Sequence, residues 1–146
     1  MKLRKFTLKD KALFLSYLNL QSHELSPYAF QNIYIWKGLF DIEWFVIEDS
    51  LCIFFRDKIG CFLYLPPLGK DKSLEVIKKV FQVLDGFNKN KEISRIENIE
   101  AKDTAFYHVI GLTNGIGHTQ SYHEKFGVKD SSKKRNDPFI VGTAMG

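Results

Sequence analysis

Cysteine occurs only twice in this chain of 146 residues, proline four times and methionine twice, and no apolar run is long. Cys52 and Cys61 do not form a Cys-x-x-Cys pair, which excludes a disulfide framework and a cysteine-based zinc site. Both lie inside apolar runs, so they read as reduced core residues that pack as small hydrophobes. The longest apolar stretches, such as Trp44 to Ile47 and Leu51 to Phe55, fall far short of the roughly 18 residues that a membrane-spanning helix needs. Behind the basic start Met1-Lys2-Leu3-Arg4-Lys5 there is no apolar signal-peptide segment, so a cytoplasmic protein is expected. Charge of one sign is also scarce. Lysine plus arginine number 21 against 17 acidic residues, a balance of +4 that permits an anionic partner without requiring one. No internal repeat or low-complexity tract is present.

Apolar side chains make up 45% of the chain and aromatic ones 14%, too many for a disordered protein, and the length allows one domain with a real core. They are unevenly placed. From Gly111 onward only ten of 36 residues are apolar, and six of the ten glycines fall there. This composition divides the chain into a folded part, residues 1–112, and a glycine-rich basic tail, residues 113–146.

Leu3 to Phe6 reads as a strand, and Thr7 with Asp10 forms an acidic capping box that opens a helix running to about Leu20. After Ser26-Pro27, the spacing of Ala29, Ile33, Trp36 and Phe40 predicts a second helix ending near Phe40 or Asp41. Glu43 to Glu48, Leu51 to Arg56 and Ile59 to Leu65 then read as an antiparallel meander. A turn at Asp57-Lys58 is expected to bring Cys52 and Cys61 opposite one another, although a bulge at Gly60 would shift that register. Pro66-Pro67-Leu68-Gly69 stops the meander. Ser73 caps a helix whose core stripe is Leu74, Ile77, Val80, Phe81 and Leu84, with Gly86 at its end. Ile93 to Ile99 reads as a strand and Ala101 to Ile110 as a short helix, with Glu100 and Asp103 at its positive end. The expected fold class is α+β.

Several kinds of chemistry fail on spacing. The cluster Gly111-Leu112-Thr113-Asn114-Gly115-Ile116-Gly117 lacks the Gly-Lys-Ser/Thr ending of a phosphate loop and follows a helix, so it reads as a helix stop. His118 and His123 are five apart and share no helical face, so no metal site is expected. His108 reads as a surface or capping residue, and no Gly-x-Ser-x-Gly elbow supports a nucleophilic hydrolase. The basic run Ser131-Ser132-Lys133-Lys134-Arg135-Asn136 offers Lys133, Lys134 and Arg135 as anion-binding candidates for RNA, phospholipid or a cofactor. It reads equally as a solvated tail.

Tyr28-Ala29-Phe30-Gln31-Asn32-Ile33-Tyr34-Ile35-Trp36, Leu51-Cys52-Ile53 and Phe62-Leu63-Tyr64-Leu65-Pro66-Pro67-Leu68-Gly69 together resemble the phosphatidylglycerol lysyltransferase C-terminal-like family of bacterial proteins. That family is similar to the GNAT acyltransferases and carries two GNAT-like halves in tandem. The resemblance covers residues 1–112 and implies a GNAT-like half-domain with a mixed, centrally antiparallel sheet flanked by helices. It implies transfer from acyl-CoA or aminoacyl-tRNA to an amine or lipid head group, and makes Tyr28, Asn32, Trp36 and Gly69 substrate-binding candidates. The usual GNAT pyrophosphate loop is absent, and Lys134-Arg135-Asn136 resembles a second-half motif of the family only out of context. The expectation is therefore an N-terminal half, a truncated product or a natural short form, that pairs with a second GNAT-like half or a second copy and does not catalyse alone. The alternative is a non-enzymatic binding module for RNA, anionic lipid or a protein partner.

Overall fold

Three consecutive segments rich in apolar residues build the frame of the molecule, for which the computed structural model describes residues 2–109. Strand β1 (Arg4–Lys5) pairs with β2 (Asp41–Ile47), β2 with β3 (Ser50–Arg56), and β3 with β4 (Cys61–Leu63), all antiparallel and in the order β1-β2-β3-β4. The β2–β3 hairpin closes on Ile47 opposite Ser50. Its two turn residues, Glu48 and Asp49, both have positive φ, 45° and 65°, which matches the right-handed twist of the strands they join.

The β3–β4 connection is longer than a two-residue turn. The Asp57 N–H donates to the Gly60 carbonyl, and the Asp57 carboxylate accepts from the N–H groups of Ile59 and Gly60, so the side chain closes a four-residue loop. The register moves accordingly. Cys61 stands opposite Arg56 and Cys52 opposite Phe45, which corrects the expected facing cysteines. Nor does pairing end at the prolines. Tyr64 N–H donates to Ile53, and Leu68 then exchanges both backbone hydrogen bonds with Leu51 at 2.8 and 2.9 Å. Three residues thus face one across this gap, and two of them are Pro66 and Pro67, which have no N–H to leave unsatisfied.

Each face of the sheet carries its own core. Helix α3 (Leu74–Phe87) packs Val76, Ile77, Val80, Phe81 and Leu84 against Cys52, Phe54, Cys61 and Leu63. Its N-terminus is capped by the Ser73 hydroxyl, which accepts from Val76 N–H; it runs through Gly86 to Phe87. On the other face, Phe14 of α1 (Lys11–Leu18) and Phe30 and Ile33 of α2 (Phe30–Tyr34) pack against Leu51, Ile53 and Phe55. The Thr7–Asp10 capping box is present, although it first closes a 3-10 turn at Leu8–Asp10.

The expected second helix is broken. A 3-10 turn at Ser26–Tyr28 precedes α2, and another at Ile35–Gly38 follows it. Ile33, Tyr34, Ile35 and Trp36 are β-branched or aromatic and weak helix formers, so packing decides this segment. The expected strand at Ile93 to Ile99 reduces to one parallel bridge between Leu63 and Ile96. Asparagine side chains take the neighbouring positions on β4: Asn88 bonds both the N–H and the carbonyl of Cys61, at 2.6 and 2.8 Å, and Asn98 donates to the Tyr64 carbonyl at 2.7 Å. Asn98 itself has φ 58°, which turns the chain away from the sheet. A 3-10 turn at Ala101–Asp103 leads into α4 (Thr104–Val109). The fold is α+β, an antiparallel sheet with one parallel contact and helices on both faces. No described helix is long and apolar enough to cross a membrane.

Candidate functional site

Two concavities flank the Tyr64–Asn98 contact. The first is a small open cleft of about 30 Å³, lined mainly by polar residues with Pro66, Pro67 and Leu68 among them, between the segment after α1, the Pro66–Lys72 loop and the start of α4; His23, Tyr28, Gly69, Lys72, Asp103 and Tyr107 are among its walls. Beside it is buried Glu100. This carboxylate contacts His23 Nδ1 at 2.6 Å and accepts the backbone N–H groups of Glu24 and Leu25 at 2.5 and 3.2 Å. Burial alone would raise the Glu100 pKa, but the His23 hydrogen bond and the two backbone donors, with a smaller contribution from the imidazole whenever it is protonated, outweigh it and hold the group below the usual carboxylate range.

The His23 ring is fixed on its face as well as at its edge. It stacks on Tyr28 with centroids 4.3 Å apart and planes 12° from parallel. Tyr28 is itself anchored, its hydroxyl donating to the Asn98 carbonyl at 2.7 Å. Burial and then the nearby Glu100 charge raise the Tyr28 pKa, so it stays a neutral donor. Across the pocket, Lys72 Nζ pairs with Asp103 at 2.8 Å, and Gln21 donates to the Lys70 carbonyl.

The second concavity is an aromatic groove of about 370 Å³ between the segment after α2, strands β3 and β4, and the Ile93–Glu97 segment. Phe55 and Tyr64 stack at 4.2 Å in its floor, Phe40 meets Phe62 edge-on, and Trp36 stands at the rim. The Arg95 guanidinium lies 4.2 Å from the Phe62 ring centroid and pairs with Glu97 at 2.7 Å. Burial raises the Tyr64 pKa, partly offset by a hydrogen bond with the Trp36 side chain.

The sequence-derived candidates therefore separate. Tyr28 and Gly69 line the polar pocket, Trp36 lines the groove, and Asn32 lines neither, its amide donating to the Ser26 carbonyl at 2.7 Å. Gly69 has a packing reason for lacking a side chain: a Cβ there would sit 2.6 Å from Ser50 Oγ. Lys133, Lys134 and Arg135, with the whole tail from 113 to 146, lie outside the described residues. His23 and Glu100, 77 positions apart, form a pair that no local pattern signals. Among the described residues, no group of three His, Cys, Asp or Glu side chains is placed to hold a metal ion. Comparison with protein-family models, curated proteins and solved structures returned no match to this chain.

Proposed function

We propose that residues 2–109 form a GNAT-like half-domain of an acyl- or aminoacyl-transferase related to the phosphatidylglycerol lysyltransferase C-terminal-like family. One observation carries this reading: the order strand, two helices, three antiparallel strands, helix, parallel return at Leu63–Ile96, helix. It coincides with the mixed, centrally antiparallel half that the resemblance implies. In this reading the half-domain binds a substrate and works with a second GNAT-like half or a second copy.

The aromatic groove suits the donor. Acyl-CoA and aminoacyl-tRNA both carry an adenine ring, and a flat base gains about 1–3 kcal/mol by stacking on an aromatic side chain. Trp36, at the rim, is the stacking residue and the reporter. Acetyl-CoA, aminoacyl-tRNA and anionic vesicles titrated against the full chain, followed by calorimetry and tryptophan quenching, test the reading. Saturable binding of either donor, weakened about tenfold or more by Trp36→Ala, is the expected result. Binding to vesicles alone, lost in high salt, would replace the transferase half with a membrane-surface module.

A further inference from the structure

We propose that His23 is a general base for acyl transfer and that Glu100 is its positioning residue. The inference takes its reaction class from the transferase reading above, and its residues from the geometry of the polar pocket.

A useful base must present one lone pair to the substrate while its other nitrogen is held in a fixed protonation state. His23 meets both requirements. Its Nδ1 is engaged by Glu100 at 2.6 Å, and an ionised carboxylate can only accept, so the neutral ring carries its proton on Nδ1. The lone pair is then on Nε2, which has no partner among the described residues, on a ring that lines the pocket. Stacking on Tyr28 sets the plane of the ring. Glu100 is oriented in turn by the N–H groups of Glu24 and Leu25, both of which reach the oxygen that does not face His23.

In the step, Nε2 takes a proton from the acceptor amine as its nitrogen forms a bond to the acyl carbonyl carbon. The carbonyl electron pair moves onto oxygen and returns to re-form the carbonyl as the bond to the leaving group breaks, and the leaving group departs with the electron pair of that broken bond. His23 becomes imidazolium beside a carboxylate that remains ionised, and releases the proton to solvent.

The arrangement makes a sharp demand on Glu100→Gln. The two backbone N–H groups hold the amide oxygen of the new side chain, so its NH₂ faces His23 Nδ1. The tautomer inverts, the proton moves to Nε2 and the base is lost, although the packing is kept.

The full chain, with water as acceptor and p-nitrophenyl acetate as donor, an activated ester whose cleavage draws on the base alone and needs no second half, gives the rate, and nitrogen-15 NMR of the imidazole gives the tautomer. The expected result is the Nδ1–H tautomer in the native protein, the Nε2–H tautomer in Glu100→Gln, and at least a tenfold loss of rate in both Glu100→Gln and His23→Gln. His108→Gln, an exposed change on α4, should keep the native rate. Equal rates in the native chain and His23→Gln, or an Nε2–H tautomer in the native protein, would overturn the proposal without any need for a variant to fold. Acetyl-CoA titrated into the same samples separates the two ideas. Ester cleavage that needs His23 in a chain that ignores the donors keeps the base and removes the donor reading, whereas donor binding with no such cleavage does the reverse.

Discussion

Three contacts converge on the buried carboxylate of Glu100: an imidazole and two backbone donors. Its pKa in the folded protein lies below the ordinary 4.5, so on acidification the unfolded chain takes up a proton before the folded one does. The stability this group contributes is complete above about pH 4.5 and is lost as pH falls from there through the lower folded value. Melting temperatures measured from pH 7 to pH 3 should therefore fall more steeply below 4.5 for the native chain than for Glu100→Gln. Parallel curves would mean that the carboxylate is no better held in the folded state than in the unfolded one. The cysteines show the opposite sign. Burial raises both thiols, Cys61 to about 12, and leaves neither as a thiolate at neutral pH.

At the scale of elements, the edge of β4 shows why a strand stops. Asn88 is buried and bonds both backbone groups of Cys61, and its amide also donates to Ser94 Oγ at 2.8 Å. In effect one side chain does the work of a strand residue. Asn88→Ala would leave a buried N–H and a buried carbonyl without partners, a cost of about 2–4 kcal/mol. Urea unfolding measures it, and a loss under about 0.5 kcal/mol would mean that a neighbouring group or water replaces the amide. The same edge explains which elements were legible in the sequence. The α3 stripe and Ser73 cap are local and periodic, so they were readable, as were the short β-rich runs of β2 and β3. The segment after Lys91 was not, because the group that takes its place beside Cys61 comes from Asn88, 27 residues away. The facing cysteines fail on spacing: a two-residue turn at Asp57-Lys58 would already set Leu63 opposite Cys52, and the four-residue loop that the Asp57 side chain closes moves Leu63 on to Phe54. Of the pocket, Tyr28 and Gly69 were marked by resemblance. His23 and Glu100 were not, since their pairing exists only once the segment after α1 and the start of α4 have been brought together.

At the scale of the whole molecule, two cores share one wall. β3 sends Cys52 and Phe54 toward α3 and sends Leu51, Ile53 and Phe55 toward α1 and α2. A loosened α3 face removes the support of the strand that the opposite core packs on, so the two faces should unfold together. Both tryptophans report from the α2 side: Trp44 packs against that core and Trp36 stands at the groove. Ile77, fully buried on α3, is on the other side. Ile77→Ala should cost about 2–5 kcal/mol, through lost burial and the cavity left behind. If the cores are one cooperative unit, tryptophan fluorescence and far-ultraviolet circular dichroism will show that loss at the same urea midpoint, although no tryptophan lies on the mutated face. A fluorescence midpoint that stays at the native value while the circular dichroism midpoint falls would show that the α2 face, with its groove, holds together independently of α3.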